Sequence, residues 1–129
     1  MAVTTVKLLI NGEWVESSAN QWHEVINPAT QEVLARVPFA THDELNAAVA
    51  AAKAAFKTWR LTPIGARARI FLKLQQLIRE NMADLAATLT SEQGKTLADA
   101  EGDIFRGLEV VEHAANIGTL QMGEFAENV

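Results

Sequence analysis

From Thr41 to Ala115 the apolar residues return at three- and four-residue steps in four successive runs, each bounded by a residue that starts or stops a helix. That spacing places them on one face of a helix with 3.6 residues per turn. Leu45, Ala48, Val49, Ala52, Ala55, Phe56 and Trp59 predict a buried stripe on the first helix, which Thr41 and Glu44 open with capping-box spacing. Thr62-Pro63 predicts a cap followed by proline at the first helical position of the second helix. Its apolar face is Ile64, Ala68, Phe71, Leu74, Leu77 and Ile78. Asn81 with Asp84 predicts a capped start to a third helix carrying Met82, Leu85, Ala86 and Leu89, and Gly94 stops it through a left-handed cap. Thr96 with Asp99 opens the fourth, with Ala100, Ile104, Leu108, Val111 and Ala115 inward. Gly102 and Gly107 interrupt that helix at a cost of about 1 kcal/mol each relative to alanine, which predicts close packing or a kink.

The first forty residues follow a different rule. Val6 to Ile10 and Trp14-Val15 read as extended segments joined by a turn at Asn11-Gly12, a pair that tolerates positive φ. A second turn falls at Asn27-Pro28-Ala29-Thr30, and Val33 to Val37 is a further strand. Three short strands need a helical layer to cover their apolar face. The expectation is an α/β chain: extended segments over residues 1–40, helices over 41–120 and a tail over 121–129, with a small antiparallel sheet and three or four helices. The whole of 1–129 reads as one incomplete amino-terminal segment of a larger domain.

Composition removes several classes of function. Eleven basic residues are scattered among sixteen acidic ones, for a net charge of −5, which argues against nucleic-acid binding. There are no cysteines, so disulfides, cysteine-based zinc sites and a thiol nucleophile are excluded within this chain. The start lacks the apolar run of a signal peptide, and no apolar stretch approaches the roughly 20 residues that span a bilayer. The expectation is a soluble, cytoplasmic, bacterial protein with no membrane and no metal. No G-x-G-x-x-G loop is present; Gly94-Lys95-Thr96 matches only the end of a phosphate loop, so helix termination and a solvated lysine is the reading there. His23, His42 and His113 stand apart in sequence and form no ligand pattern.

Two groups of residues keep a binding role open. Asp103, Arg106, Glu109 and Glu112 follow one another at three-residue steps, a charged stripe suited to pairing along the helix. Within it, the planar guanidinium of Arg106 can also receive a carboxylate through two parallel hydrogen bonds. Trp59 falls on its helix's apolar stripe and reads as core, whereas Trp14 and Trp22 can be either packed or partner-facing.

The runs Ile10-Asn11-Gly12-Glu13-Trp14, Asn27-Pro28-Ala29-Thr30 with Glu32-Val33-Leu34, and Glu92-Gln93-Gly94-Lys95-Thr96 occur in an order and spacing that resembles the amino-terminal region of the aldehyde dehydrogenases. The stretch from Leu97 to Ala114, through Ile104-Phe105-Arg106-Gly107-Leu108 and Glu112-His113-Ala114, is similar to the CoA-acylating branch that handles methylmalonate or malonate semialdehyde. The resemblance implies that Arg106 receives the substrate carboxylate, that NAD and coenzyme A are co-substrates, and that the whole enzyme is a homodimer or homotetramer with a place in valine breakdown. It also implies a cysteine thiolate that attacks the aldehyde, hydride transfer to NAD, and release of propanoyl-CoA or acetyl-CoA with carbon dioxide. Ala115 stands where family members often carry cysteine, though not the nucleophilic one. This chain supplies no catalytic residue of that scheme, no identified cofactor-binding residue, and no expected activity by itself. The competing readings are a non-acylating NAD(P)-dependent aldehyde dehydrogenase and a noncatalytic helical interaction module.

Overall fold

The computed structural model describes residues 3–127. Five strands lead: β1 (Thr4–Thr5), β2 (Leu8–Ile10), β3 (Glu13–Val15), β4 (Trp22–Ile26) and β5 (Val33–Pro38). Helices follow: α1 (His42–Trp59), α2 (Ile64–Glu80), α3 (Met82–Gln93), α4 (Leu97–Ala115) and the short α5 (Ile117–Leu120). The chain falls into two compact units, one of Met1–Leu61 with Ser91–Gly94 and the other of Thr62–Thr90 with Lys95–Val129.

In the first unit, local turn chemistry sets the strand pairing. Asn11 (φ 55°) and Gly12 (φ 80°) are both left-handed, the geometry of a two-residue hairpin, and they pair Leu8 with Val15 and Ile10 with Glu13. Asn27 closes the next reversal: its Oδ1 accepts from the Ala29 and Thr30 amides at 2.9 and 3.3 Å, and its own amide donates to the Glu32 carbonyl at 2.9 Å. That loop joins β4 antiparallel to β5, from Trp22 opposite Pro38 to Ile26 opposite Val33, with a register shift between Val25 and Ile26.

The α/β class is as expected, and the sheet differs from the sequence reading in two respects. It is mixed: β1 pairs parallel with β5 on the side opposite β4, Thr4 opposite Ala35, giving the order β1-β5-β4, and β2-β3 is a separate hairpin. The strand β4, Trp-His-Glu-Val-Ile, was not among the expected ones. A two-residue parallel strand has no periodicity to read, and Glu24 in β4 is placed by a cross-strand ion pair with Arg36 at 2.7 Å rather than by apolar alternation.

Helix starts follow the caps closely. The Thr41 hydroxyl accepts from the Glu44 amide at 3.3 Å, while the Glu44 carboxylate accepts from the Thr41 amide at 2.8 Å, completing the capping box of α1. The Thr96 hydroxyl accepts from the Asp99 amide at 3.3 Å and opens α4. Two expected starts are corrected. Pro63 is extended (ψ 143°) and stands at the cap itself, one place ahead of the first helical residue, its carbonyl accepting from Ala66 and Arg67. Asn81 does break α2 from α3, but its side chain turns back to the Leu77 carbonyl at 2.8 Å instead of forward to Asp84.

Packing departs furthest from the sequence reading. The stripe on α1 is not buried: Leu45 is 56% exposed, Val49 49%, Phe56 59% and Trp59 43%. Only the alanine side of α1, including Ala48 and Ala51, lies against the β2-β3 hairpin. Within the second unit α2 packs on α4, and the buried apolar residues there are small apart from one: Ala86, Ala100, Ala115 and Leu108. An added Cβ at Gly102 or Gly107 would meet nothing within 4 Å, so close packing does not explain either glycine among the described residues. The helical segment closes on a short extra helix, α5, inside its expected 41–120 bounds, with Gly118 against Ile64.

Candidate functional site

The chemistry-bearing side chains of the second unit gather on the first half of α4. Thr96 fixes the helix start, which sets Asp99, Asp103 and Arg106 at intervals of four and three residues on neighbouring faces. Lys95, immediately ahead of the cap, reaches over this turn. Its Nζ lies 3.2 Å from Asp99 Oδ2 and also bonds Asp103 Oδ2, while Asp103 Oδ1 accepts from Arg106 Nη2. One carboxylate is therefore bridged by two cations. The Lys95 hydrogen bond, with that of Arg106 behind it, holds the Asp103 carboxyl below its ordinary range. Reciprocally, Asp103 and then Asp99 raise Lys95.

Exposure separates the two cations. The Lys95 side chain is 24% exposed and Arg106 66%. The lysine expected to be solvated is thus an ion-paired one, and the arginine is tethered at one nitrogen with most of its surface open. Further along α4 the expected stripe divides: Asp103 and Arg106 do pair along the helix, but Glu112 turns to α2. It accepts from Gln75 Nε2 at 2.9 Å and Arg79 Nη2 at 3.0 Å, and those bonds, Gln75 first, lower its carboxyl.

The residues with a superficial likeness to a phosphate loop are engaged otherwise. Gly94 (φ 74°) closes α3, Lys95 is paired to two carboxylates, and the Thr96 hydroxyl caps α4. The lysine ammonium and threonine hydroxyl that a phosphate loop would use are thus committed to an ion-pair network and a helix cap. His23 lies edge-on to Phe39 with ring centres 6.3 Å apart, His42 begins α1 and His113 lies in the last turn of α4. Among the described residues no three His, Asp or Glu side chains come together as a metal site, and no helix is long and apolar enough to cross a membrane.

The tryptophans resolve differently from one another. Trp22 is half-buried and donates its Nε1–H to the Ala19 carbonyl at 3.1 Å. Trp14 is 68% exposed on β3 beside its cross-strand partner Leu9. Trp59 is not core, as noted above. Lys95 and Asp99 were the members of the α4 cluster that the sequence did not single out as binding partners; their four-residue separation was the available signal.

The chain matches the Aldehyde dehydrogenase family over residues 14–128. It is 60% identical over 121 residues to the mitochondrial acylating methylmalonate-semialdehyde dehydrogenase of Arabidopsis thaliana, covering 94% of this chain and 20% of that protein. To the acylating methylmalonate-semialdehyde/malonate-semialdehyde dehydrogenase of Homo sapiens it is 54% identical, covering 95% of this chain and 23% of the relative. Among solved structures, the methylmalonate-semialdehyde dehydrogenase of Oceanimonas doudoroffii superposes with a TM-score of 0.89 at 35% identity, over 98% of this chain and 26% of that one. A Sinorhizobium meliloti protein assigned as the same enzyme and solved with NAD gives a TM-score of 0.90 at 42% identity, over 99% and 26%. The chain thus spans about a quarter of the length of these relatives and matches their amino-terminal portion.

Proposed function

Because this chain belongs to the aldehyde dehydrogenase family, we propose that it forms the amino-terminal portion of a longer NAD-dependent, CoA-acylating dehydrogenase of methylmalonate or malonate semialdehyde. The observation that carries the substrate class is Arg106, a charged fork held at one nitrogen by Asp103 and 66% exposed on a rigid helix. A guanidinium so placed can offer two parallel N–H donors to the carboxylate of an anionic aldehyde, which a neutral aldehyde cannot use. Binding of that kind orients the substrate before chemistry begins.

In the complete reaction, NAD accepts hydride from the aldehyde carbon and coenzyme A carries away the acyl group. This chain has no cysteine and no Gly-rich phosphate loop, so its own contribution to the reaction is confined to substrate placement and to the scaffold of α4. The relatives' names support the acylating outcome over release of a free acid. The exposed Leu9 and Trp14 pair is the one observation that favours a noncatalytic interaction module instead; against it stands a family match over nearly the whole chain.

The test uses the complete enzyme with malonate semialdehyde, following NADH and acyl-CoA together. NADH formation that depends on coenzyme A is expected, and NADH formed at full rate without it would overturn the acylating reading. Arg106→Ala should lower kcat/KM for the anionic aldehyde roughly ten- to hundredfold, the size of a lost hydrogen bond to a charged group. Propanal, neutral and of similar length, should be little affected. An unchanged ratio between the two substrates rejects Arg106 as the carboxylate receiver.

A further inference from the structure

The two cations on Asp103 are held in unequal ways. Lys95 is drawn between two carboxylates and is largely covered, whereas Arg106 is fixed through a single Nη2 and otherwise faces outward. A long arginine side chain on an exposed helix face samples many rotamers, and a bound anion must then restrict them at a cost in affinity. A carboxylate three residues upstream removes part of that freedom in advance. Asp103 by itself would also cancel the charge that attracts an anionic aldehyde. Lys95 offsets this by engaging the other carboxylate oxygen, which both fixes the plane of the carboxylate and shares its negative charge. Asp99, 59% exposed, completes the hold on Lys95 at 3.2 Å and is the more screened of the two acids.

We propose that Asp103 is the positioning residue of Arg106, and that Lys95 anchors Asp103 so that Arg106 meets an anionic aldehyde in a fixed orientation without losing its pull on it. The inference rests on the reading of Arg106 as the carboxylate receiver and names the residues that set its specificity.

The experiment compares Asp103→Asn, Lys95→Met, Arg106→Ala and the Asp103→Asn/Arg106→Ala pair in the complete enzyme, with malonate semialdehyde and propanal as substrates. Asp103→Asn should raise KM for the anionic aldehyde roughly tenfold with kcat nearly unchanged, a size usual for coupled residues in one network. Lys95→Met should act in the same direction, propanal kinetics should stay as they were, and Asp103→Asn should add nothing once Arg106 is gone. Equal losses on both substrates would mark Asp103 as merely structural and overturn the proposal. So would an unchanged anionic KM in Asp103→Asn when Arg106→Ala raises it. If Arg106→Ala itself leaves the substrate ratio untouched, the receiver reading fails and the positioning role falls with it.

Discussion

Glu44 accepts from the backbone amides of Thr41 and Ser18 and from the hydroxyls of Ser17 and Ser18, tying the loop between β3 and β4 to the start of α1. The Thr41 amide, followed by that of Ser18, draws its carboxyl down to about 2 from an ordinary 4.5. A carboxyl whose folded pKa lies below its unfolded one stabilises the fold at pH above about 4.5, and that contribution drains away as pH falls from there toward about 2. Asp103 and Glu112, also lowered, add to the same acid arm, while the raised Lys95 contributes below its ordinary value of 10.5 and loses its hold only at more alkaline pH. Denaturant unfolding of Glu44→Gln and the parent at successive pH values below 5 should show the parent losing stability faster, so that the two converge. Parallel profiles would mean that Glu44 is not ionised against those amides. Half of this arrangement was legible in the sequence, because Thr41 and Glu44 are three residues apart. Ser17 and Ser18 are 27 and 26 residues from their acceptor, and no local pattern announces such a contact.

At the level of elements, most of what the chain states within about four residues came through, the helix starts at Thr62-Pro63 and Asn81 excepted, and what depends on a distant neighbour did not. Caps at Thr41 and Thr96, the Asn11-Gly12 hairpin and the left-handed stop at Gly94 are all local geometry. Gly94 carries a second constraint that only the fold reveals: a Cβ there would come within 2.8 Å of the Pro28 ring in the same unit. Gly12 has a similar positive φ of 80° with nothing within 4 Å, and so serves as its control. Gly12→Ala should cost about 1–2 kcal/mol, the price of a left-handed L-residue. Gly94→Ala should cost more than Gly12→Ala, because proline's ring is tied to its own backbone and yields little. Equal losses in thermal or urea unfolding of the two variants would show that the Asn27–Thr30 turn does not press on the helix end. At Gly102 and Gly107, where close packing or a kink was expected, a Cβ would meet nothing within 4 Å among the described residues; a glycine in a helix does not say where its neighbour is.

Burial was the least legible property, and it bears on the whole molecule. Amphipathic spacing predicts that a face will be covered, but the covering surface need not belong to the same stretch of chain. The α1 stripe shows this, with Leu45, Val49 and Phe56 each about half exposed or more, and on the α2 stripe Phe71, Leu74 and Leu77 are exposed as well. Among the described residues the buried core aliphatics are Ala86, Ala100, Leu108 and Ala115, all in the second unit and all on stripes expected to face inward. So small a covered set leaves much of the apolar surface of α1 and α2 in contact with solvent. Polypeptide beyond these residues, of the extent found in the relatives, would supply the missing cover. Expressed by itself, residues 1–129 should therefore bind a hydrophobic dye such as ANS, associate in a concentration-dependent way and turn over no aldehyde with NAD. The complete enzyme, its apolar stripes covered, should bind far less dye per chain. Sedimentation and dye fluorescence of the two side by side decide the matter: a dye-silent, monomeric 129-residue chain that unfolds in one cooperative step would show that the exposed stripes of α1 and α2 are not unfinished core.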